Sequence, residues 1–269
     1  MSTATKPTIV IVQGSFQTPL FYGALLTGLL DAGYPVIHPR LPSCTNVDDA
    51  DFPTRTLTDD SLAVTVAIQR LVEAEGKTVV VVMHSYGGLV GSNAIPEELS
   101  YSYRQSRGFA GGVIHLFYFC AFILGKGQSV LGVFGESPNN DVRPDGRFCI
   151  RNGAKILFND LPDSEAALWE SRLIPQSYKV QTTPLTRAAY EYIPSTYLIT
   201  ENDRAVPVRF QEMFAATIKA QVVRCSSGHS PMLSQPAVLV EKITAAVEGA
   251  LRRAGPGFHS LCNKRSNPR

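Results

Sequence analysis

The chain has 269 residues, 44% of them hydrophobic and 18% charged, with a formal net charge of +2 at neutral pH. That balance suits one soluble globular domain with a large core. No stretch reaches the roughly 18–20 consecutive apolar residues of a membrane span, and the start, "MSTATKPTIVIVQG", has no small-residue cleavage site and reads as a first strand, not a signal peptide.

In chain order, short β-branched runs predict strands over 8–12, 35–38, 78–83, 112–119, 196–200 and 221–224. Helical stretches lie between most of them. The stretch over 59–75 carries Val64, Ile68 and Leu71 on one face and stops at Gly76, a residue suited to a helix C-cap. The stretches over 207–220 and 235–251 read in the same way. Strands alternating with helices predict a single α/β domain, with a mostly parallel central sheet and helices on both faces. The exception is 122–192, rich in Pro, Gly and aromatics and without a strand-like run; with helix-like pieces such as 164–173 it reads as an inserted cap. From 252 onward the tail holds five basic and no acidic residues, against 20 basic and 23 acidic before it, and is expected to be a solvated, poorly ordered end. Five cysteines, odd in number and without CxxC spacing, point to a reduced, intracellular protein with a cytoplasmic location.

The strand over 78–83 runs straight into "HSYGG". Ligands of α/β sheets bind beyond the carboxyl ends of the strands, and Ser85 stands at such an end on a turn into a helix. A serine held there on a strained turn needs small neighbours, and Gly87 and Gly88 supply them downstream, whereas Met83 stands where a glycine is usual. A glycine-rich helix start with an incidental serine is the alternative.

A nucleophilic serine needs a base and an orienting carboxylate. Of five histidines, His38 and His115 lie in or beside strand runs, His84 adjoins the serine with its side chain turned away, and His259 is in the tail. His229, in "CSSGHSPMLSQP" after the last strand, is the candidate base. The loop "ENDRAVP" offers Asp203 as the acid, deeper in the loop, with Glu201 in reserve. Gly14, after the first strand, lets the backbone turn so that the amides of Ser15 and Tyr86 form a candidate oxyanion hole. Phe16 and Tyr86 stand at the mouth, and the cap supplies Phe122, Phe134, Phe148, Phe158 and Trp169. Of these, Phe16, Phe122, Phe158 and Trp169 are the candidate substrate-binding residues, and together they favour an apolar acyl group.

The stretches "IVQGSFQTPLFY", "GYPVIHPRLPS", "MHSYGG", "LFNDLP", "PSTYLITENDRAVP" and "GHSPMLSQP" resemble the α/β-hydrolase fold branch that holds plant methylesterases and hydroxynitrile lyases, with fungal and bacterial relatives. The resemblance spans nearly all of 8–251 and departs at Gln13, where a histidine is common, and at Met83. It implies an α/β-hydrolase fold and a Ser85–Asp203–His229 triad in the chain order of that fold. Hydroxynitrile lyases of the branch carry a lysine after the histidine, and here Ser230 and Pro231 follow it, as in the esterases.

The function expected is a cofactor-independent serine hydrolase cleaving a carboxylic ester, thioester or lactone, with no metal. Its expected partner is a small-molecule substrate, not nucleic acid or a membrane, with a homodimer as an open arrangement. Two alternatives stay open: a non-hydrolytic cyclase, lyase or decarboxylase of a biosynthetic pathway on the same scaffold, and a hydrolase-like receptor for a small molecule.

Overall fold

Val12 of the first strand pairs with Met83 of the third, and His84 pairs with Phe119 of the fourth, so three strand ends stand abreast on one edge of the sheet. The computed structural model describes residues 6–255. The chain runs β1 (Thr8–Val12), α1 (Gly23–Asp31), β2 (Val36–Ile37), α2 (Leu57–Gln69), β3 (Thr78–His84), α3 (Gly87–Ala94), α4 (Tyr101–Ser106) and β4 (Gly112–Phe119). It continues through α5 (Val130–Phe134), β5 (Asn140–Val142), β6 (Arg147–Ile150), α6 (Gly153–Ile156), α7 (Asp163–Glu170), β7 (Gln176–Ser177) and α8 (Lys179–Thr182). It returns with β8 (Ser195–Thr200), α9 (Val208–Thr217), β9 (Gln221–Cys225), α10 (Pro231–Ser234) and α11 (Pro236–Ala254).

The central sheet has the order β2-β1-β3-β4-β8-β9, and every pairing in it is parallel. Strand β3 is apolar at five consecutive positions because both of its faces are covered. Val79, Val81 and Met83 enter one core with Val10 and Val12, while Val80 and Val82 enter the other with Ile9 and Ile11. Chain order reverses between β1 and β3, the place in a doubly wound sheet where a crevice opens at the carboxyl edge. The loops after β1, β3, β8 and β9 all emerge along that edge.

Several boundaries differ from those read in the sequence. Helix α2 begins at Leu57, where Thr56 and Asp59 form a reciprocal capping box. It ends at Gln69 in a π-helical turn, Arg70–Ala74, in place of one helix to residue 75. The segment over 122–192 holds a three-stranded antiparallel sheet, β5-β6-β7, where no strand was expected. Its strands are two to four residues long, so no alternation could develop in them. Helix α11 runs on through Arg252 and Arg253, residues expected in an unordered tail. The rest of that tail, with His259 and Cys262, lies outside the described residues.

Candidate active site

Ser85 has φ +51°, a left-handed conformation costly for a residue with a side chain, between the end of β3 and the start of α3. The packing around it explains the neighbouring glycines. A Cβ on Gly87 would lie 2.3 Å from the Val12 carbonyl oxygen, and one on Gly88 would lie 2.6 Å from that of Phe122. Met83 fits two residues before the serine because Gly91, one turn into α3, leaves it room: a Cβ there would meet the Met83 sulfur at 2.3 Å.

His229 lies in the loop after β9, with Nε2 3.1 Å from Ser85 Oγ. Its Nδ1 faces both oxygens of Asp203, at 2.9 and 3.1 Å. Both side chains are almost fully enclosed. Asp203 Oδ1 also accepts the amides of Ala205 at 2.8 Å and Val206 at 2.9 Å, while Thr200 Oγ1 and Gln211 Nε2 each lie 3.3 Å from Oδ2. With Nδ1–H donating to the carboxylate, His229 presents the lone pair of Nε2 to the serine hydroxyl. Glu201, the reserve acid, points outward instead and pairs with Arg224 at 3.6 Å.

His84 is turned away from the serine, as expected, yet it is wired into the site. Its Nε2 lies 2.9 Å from the His229 carbonyl oxygen and therefore carries the proton, leaving Nδ1 as an acceptor 2.7 Å from Tyr22 Oη. Burial lowers its pKa well below the ordinary histidine value, which keeps it neutral. Tyr22 Oη accepts the Gly14 amide at 2.8 Å, and its single proton serves His84 or the Gln17 oxygen at 2.6 Å. A side chain on Gly14 would collide with the His84 ring, at 2.9 Å from Nδ1. Among the described residues, the amides of Ser15 and Tyr86 have no acceptor on the chain. Both residues border the cavity over Ser85.

That cavity has a volume of about 390 Å³. Phe16 and Phe122 line it, as read from the sequence, together with Leu89, Phe148, Phe210 and Phe214. Phe16 and Phe148 meet edge to face at 4.9 Å, and Phe122 packs against Phe134 and Phe214. Phe158 and Trp169 do not line it, which corrects their assignment as substrate-binding residues. They pack on Phe21, at 6.0 and 5.0 Å between ring centroids, and join the core on the other side of the sheet. Aromatic content marks the segment as packed but does not say which face of the sheet each ring covers.

The same segment holds the two loops of the site. Asp160 Oδ2 accepts the Gly228 amide at 2.6 Å, and Asn159 Nδ2 donates to the Asn202 carbonyl at 3.0 Å. Gly228 permits this approach, since a Cβ there would lie 2.7 Å from both Asn159 Oδ1 and Asp160 Oδ1.

Among the described residues, His84, Cys120 and His229 bring three potential metal-ligating atoms within 4.8 Å of one another. The histidine nitrogens are engaged in the hydrogen bonds above. Burial pushes the Cys120 thiol well above its ordinary pKa, and its sulfur lies 3.1 Å from Thr200 Oγ1. These hydrogen bonds are enough to account for the proximity of the three side chains. No helix among the described residues is long and apolar enough to cross a membrane.

A sequence profile described as the Alpha/beta hydrolase family matches residues 9–242. Alpha/beta hydrolase nvfD of Aspergillus novofumigatus is 32% identical over 254 residues, covering 91% of this chain and 98% of that protein. A probable hydrolase of a Phoma species is 29% identical over 249 residues, covering 89% and 97%. Among solved structures, polyneuridine aldehyde esterase superposes with a TM-score of 0.70 at 18% identity, covering 90% of this chain and 99% of that one. A pyrethroid hydrolase from Sphingobium faniae gives 0.68 at 21% identity, covering 91% and 98%. At these identities the likeness of the structures concerns the fold.

Proposed function

The chain belongs to the alpha/beta hydrolase family, and from that premise we propose that it is a serine hydrolase cleaving a carboxylic ester, thioester or lactone of an apolar small molecule. The observation that carries this reading is the continuous hydrogen-bonded line Ser85 Oγ, His229 Nε2, His229 Nδ1, Asp203, opening on an apolar cavity. His229 takes the hydroxyl proton as Ser85 Oγ attacks the carbonyl carbon, and Asp203 holds the ring in the tautomer this requires. The amides of Ser15 and Tyr86 receive the negative charge that develops on the carbonyl oxygen. His229 then returns the proton to the leaving alcohol or thiol. Water, deprotonated by the same nitrogen, attacks the acyl-enzyme and releases the acid.

The lining supports the substrate class. It has six phenylalanines and one carboxylate, Glu136, and neither lysine nor arginine among its residues. A neutral, ring-bearing ester finds apolar contact along the phenylalanines, whereas a substrate with a free carboxylate near the scissile bond finds no countercharge. The structural neighbours include an esterase and a pyrethroid hydrolase, which agrees with ester chemistry on this scaffold.

A fluorophosphonate adduct mapped by mass spectrometry to Ser85, together with ¹⁸O from water in the released acid, is the expected result. A product without incorporated water, formed at near-normal rate by Ser85→Ala, would instead assign the site to proton-transfer chemistry of the lyase or cyclase kind.

A further inference from the structure

Asp60, on α2, is fully buried, and the "RLPSC" stretch ahead of it forms a tight turn with no role in the proton path. The two meet. The turn Pro42–Cys44 presents Ser43, whose amide donates to Asp60 Oδ1 at 2.8 Å and whose hydroxyl donates to Oδ2 at 2.6 Å. The third donor is the phenol of Tyr86, 2.7 Å from Oδ2. Burial raises the Asp60 pKa to about 6, while hydrogen bonds from Ser43 and Tyr86 oppose that rise, and no cation contributes. An enclosed carboxylate without a cation costs stability unless its oxygens are filled by donors. Here the three donors come from two separate parts of the chain, the turn at Ser43 and Tyr86.

One of those parts belongs to the candidate oxyanion hole. Tyr86 carries one of the two amides on its own backbone. The other amide belongs to Ser15, and the next residue, Phe16, is buried in the same apolar cluster as Cys44, beside Ser43. The cap joins through β7, where Gln176 Nε2 donates to Ser43 Oγ at 2.9 Å.

We propose that Asp60 is a positioning residue: held by Ser43, it anchors the Tyr86 phenol and so fixes the placement of the Tyr86 amide, and with it the affinity of the site for an oxyanion over a neutral carbonyl. The proposal rests on the hydrolase reading above. Donors aimed at a developing charge act only if their placement holds to a fraction of an ångström. A tyrosine directly after the nucleophile, anchored at its far end by a buried carboxylate, fixes that placement from behind.

The test compares the wild-type chain with Tyr86→Phe, Ser43→Ala and Asp60→Asn, using a p-nitrophenyl ester and two inhibitors. An arylalkyl trifluoromethyl ketone accepts Ser85 Oγ to give a hemiketal oxyanion, with the hydroxyl proton passing to His229; the matching methyl ketone stays trigonal. Tyr86→Phe should lower kcat roughly tenfold with KM within about twofold. It should weaken the trifluoromethyl ketone by the same factor and leave the methyl ketone nearly unchanged, with some loss of melting temperature from the donor that Asp60 loses. Ser43→Ala should follow it, and Asp60→Asn should add little in the Tyr86→Phe background, because both act through one bond. Equal weakening of both ketones in Tyr86→Phe, or an unchanged kcat, overturns the proposal. Failure of the hydrolase reading has a different signature: wild-type Ser85 unlabelled by fluorophosphonate, or Ser85→Ala still turning over.

Discussion

The sulfur of Met83 fills the volume that a side chain on Gly91 would need. The small residue that a nucleophilic serine turn requires is thus displaced from two positions before Ser85 to six positions after it. Gly91→Ala should destabilise the fold by about 1–3 kcal/mol through overpacking. Met83→Ala should restore much of that loss in the double variant, because the two changes share one space. Denaturant midpoints of the two single variants and the double variant check this, and simple additivity would rule out the compensation.

Asp203 and Glu201 stand two residues apart yet differ in what surrounds them. Asp203→Asn should preserve the melting temperature to within a few degrees and lower turnover on the order of 10⁴-fold, since the amide favours the wrong imidazole tautomer. Glu201→Gln removes only an exposed pairing with Arg224 and should leave turnover within about twofold. Steady-state kinetics of the two variants on one ester decide between the acids.

Stability should fall on the acid side of pH 6.5. Burial lowers the pKa of His38 and of His115 to about 4. Each histidine, depressed in the folded state, contributes stability that is present above the unfolded value of about 6.5 and is lost as the pH falls toward 4. Asp60, raised to about 6, works in the opposite sense between about 4 and 6 and offsets part of the loss. His115→Leu should therefore have a shallower dependence of urea midpoint on pH between 4 and 7 than the wild type, whatever its stability at neutral pH. An unchanged slope would show that His115 does not titrate with unfolding.

Phe122 and Phe158 are both aromatic residues of the inserted segment, and they should fail differently. Phe122→Ala opens the cavity over Ser85 and should raise KM for an apolar ester roughly tenfold, with a modest stability loss. Phe158→Ala empties a fully buried site against Phe21 and should cost about 3–5 kcal/mol of stability with KM little changed. Paired kinetic and thermal measurements on the two variants separate the roles.

The contrast between those two rings shows which features the sequence carries. The strand over 78–83, the turn at Ser85 and the loops bearing Asp203 and His229 are legible because each signal is local: a run of valines, a pair of glycines, an acid or histidine after a strand. Once those strands are parallel neighbours, their carboxyl ends share an edge and the side chains converge. The strand signal fails in β5, β6 and β7, which are too short and too polar to show a period. It fails again for Gly91, Ser43 and Asp60, whose partners lie 8, 17 and 26 positions away in sequence and are specified only by packing. His84 lies between: its proximity to the serine is plain, but its bonds to Tyr22 and the His229 carbonyl belong to the folded chain.

Asn159 and Asp160 reach from the inserted segment to the two loops that bear Asp203 and His229. Transplanting the residues over 122–192 from a relative to acquire its selectivity would therefore import or discard the struts of the loops that carry Asp203 and His229 along with the pocket wall. A chimera that keeps this dipeptide beside its own Gly228 should retain turnover on small esters. One that replaces it should lose turnover on every substrate alike, and its failure would be misread as poor selectivity of the graft. In this scaffold the unit of exchange is the inserted segment together with the loops it ties down.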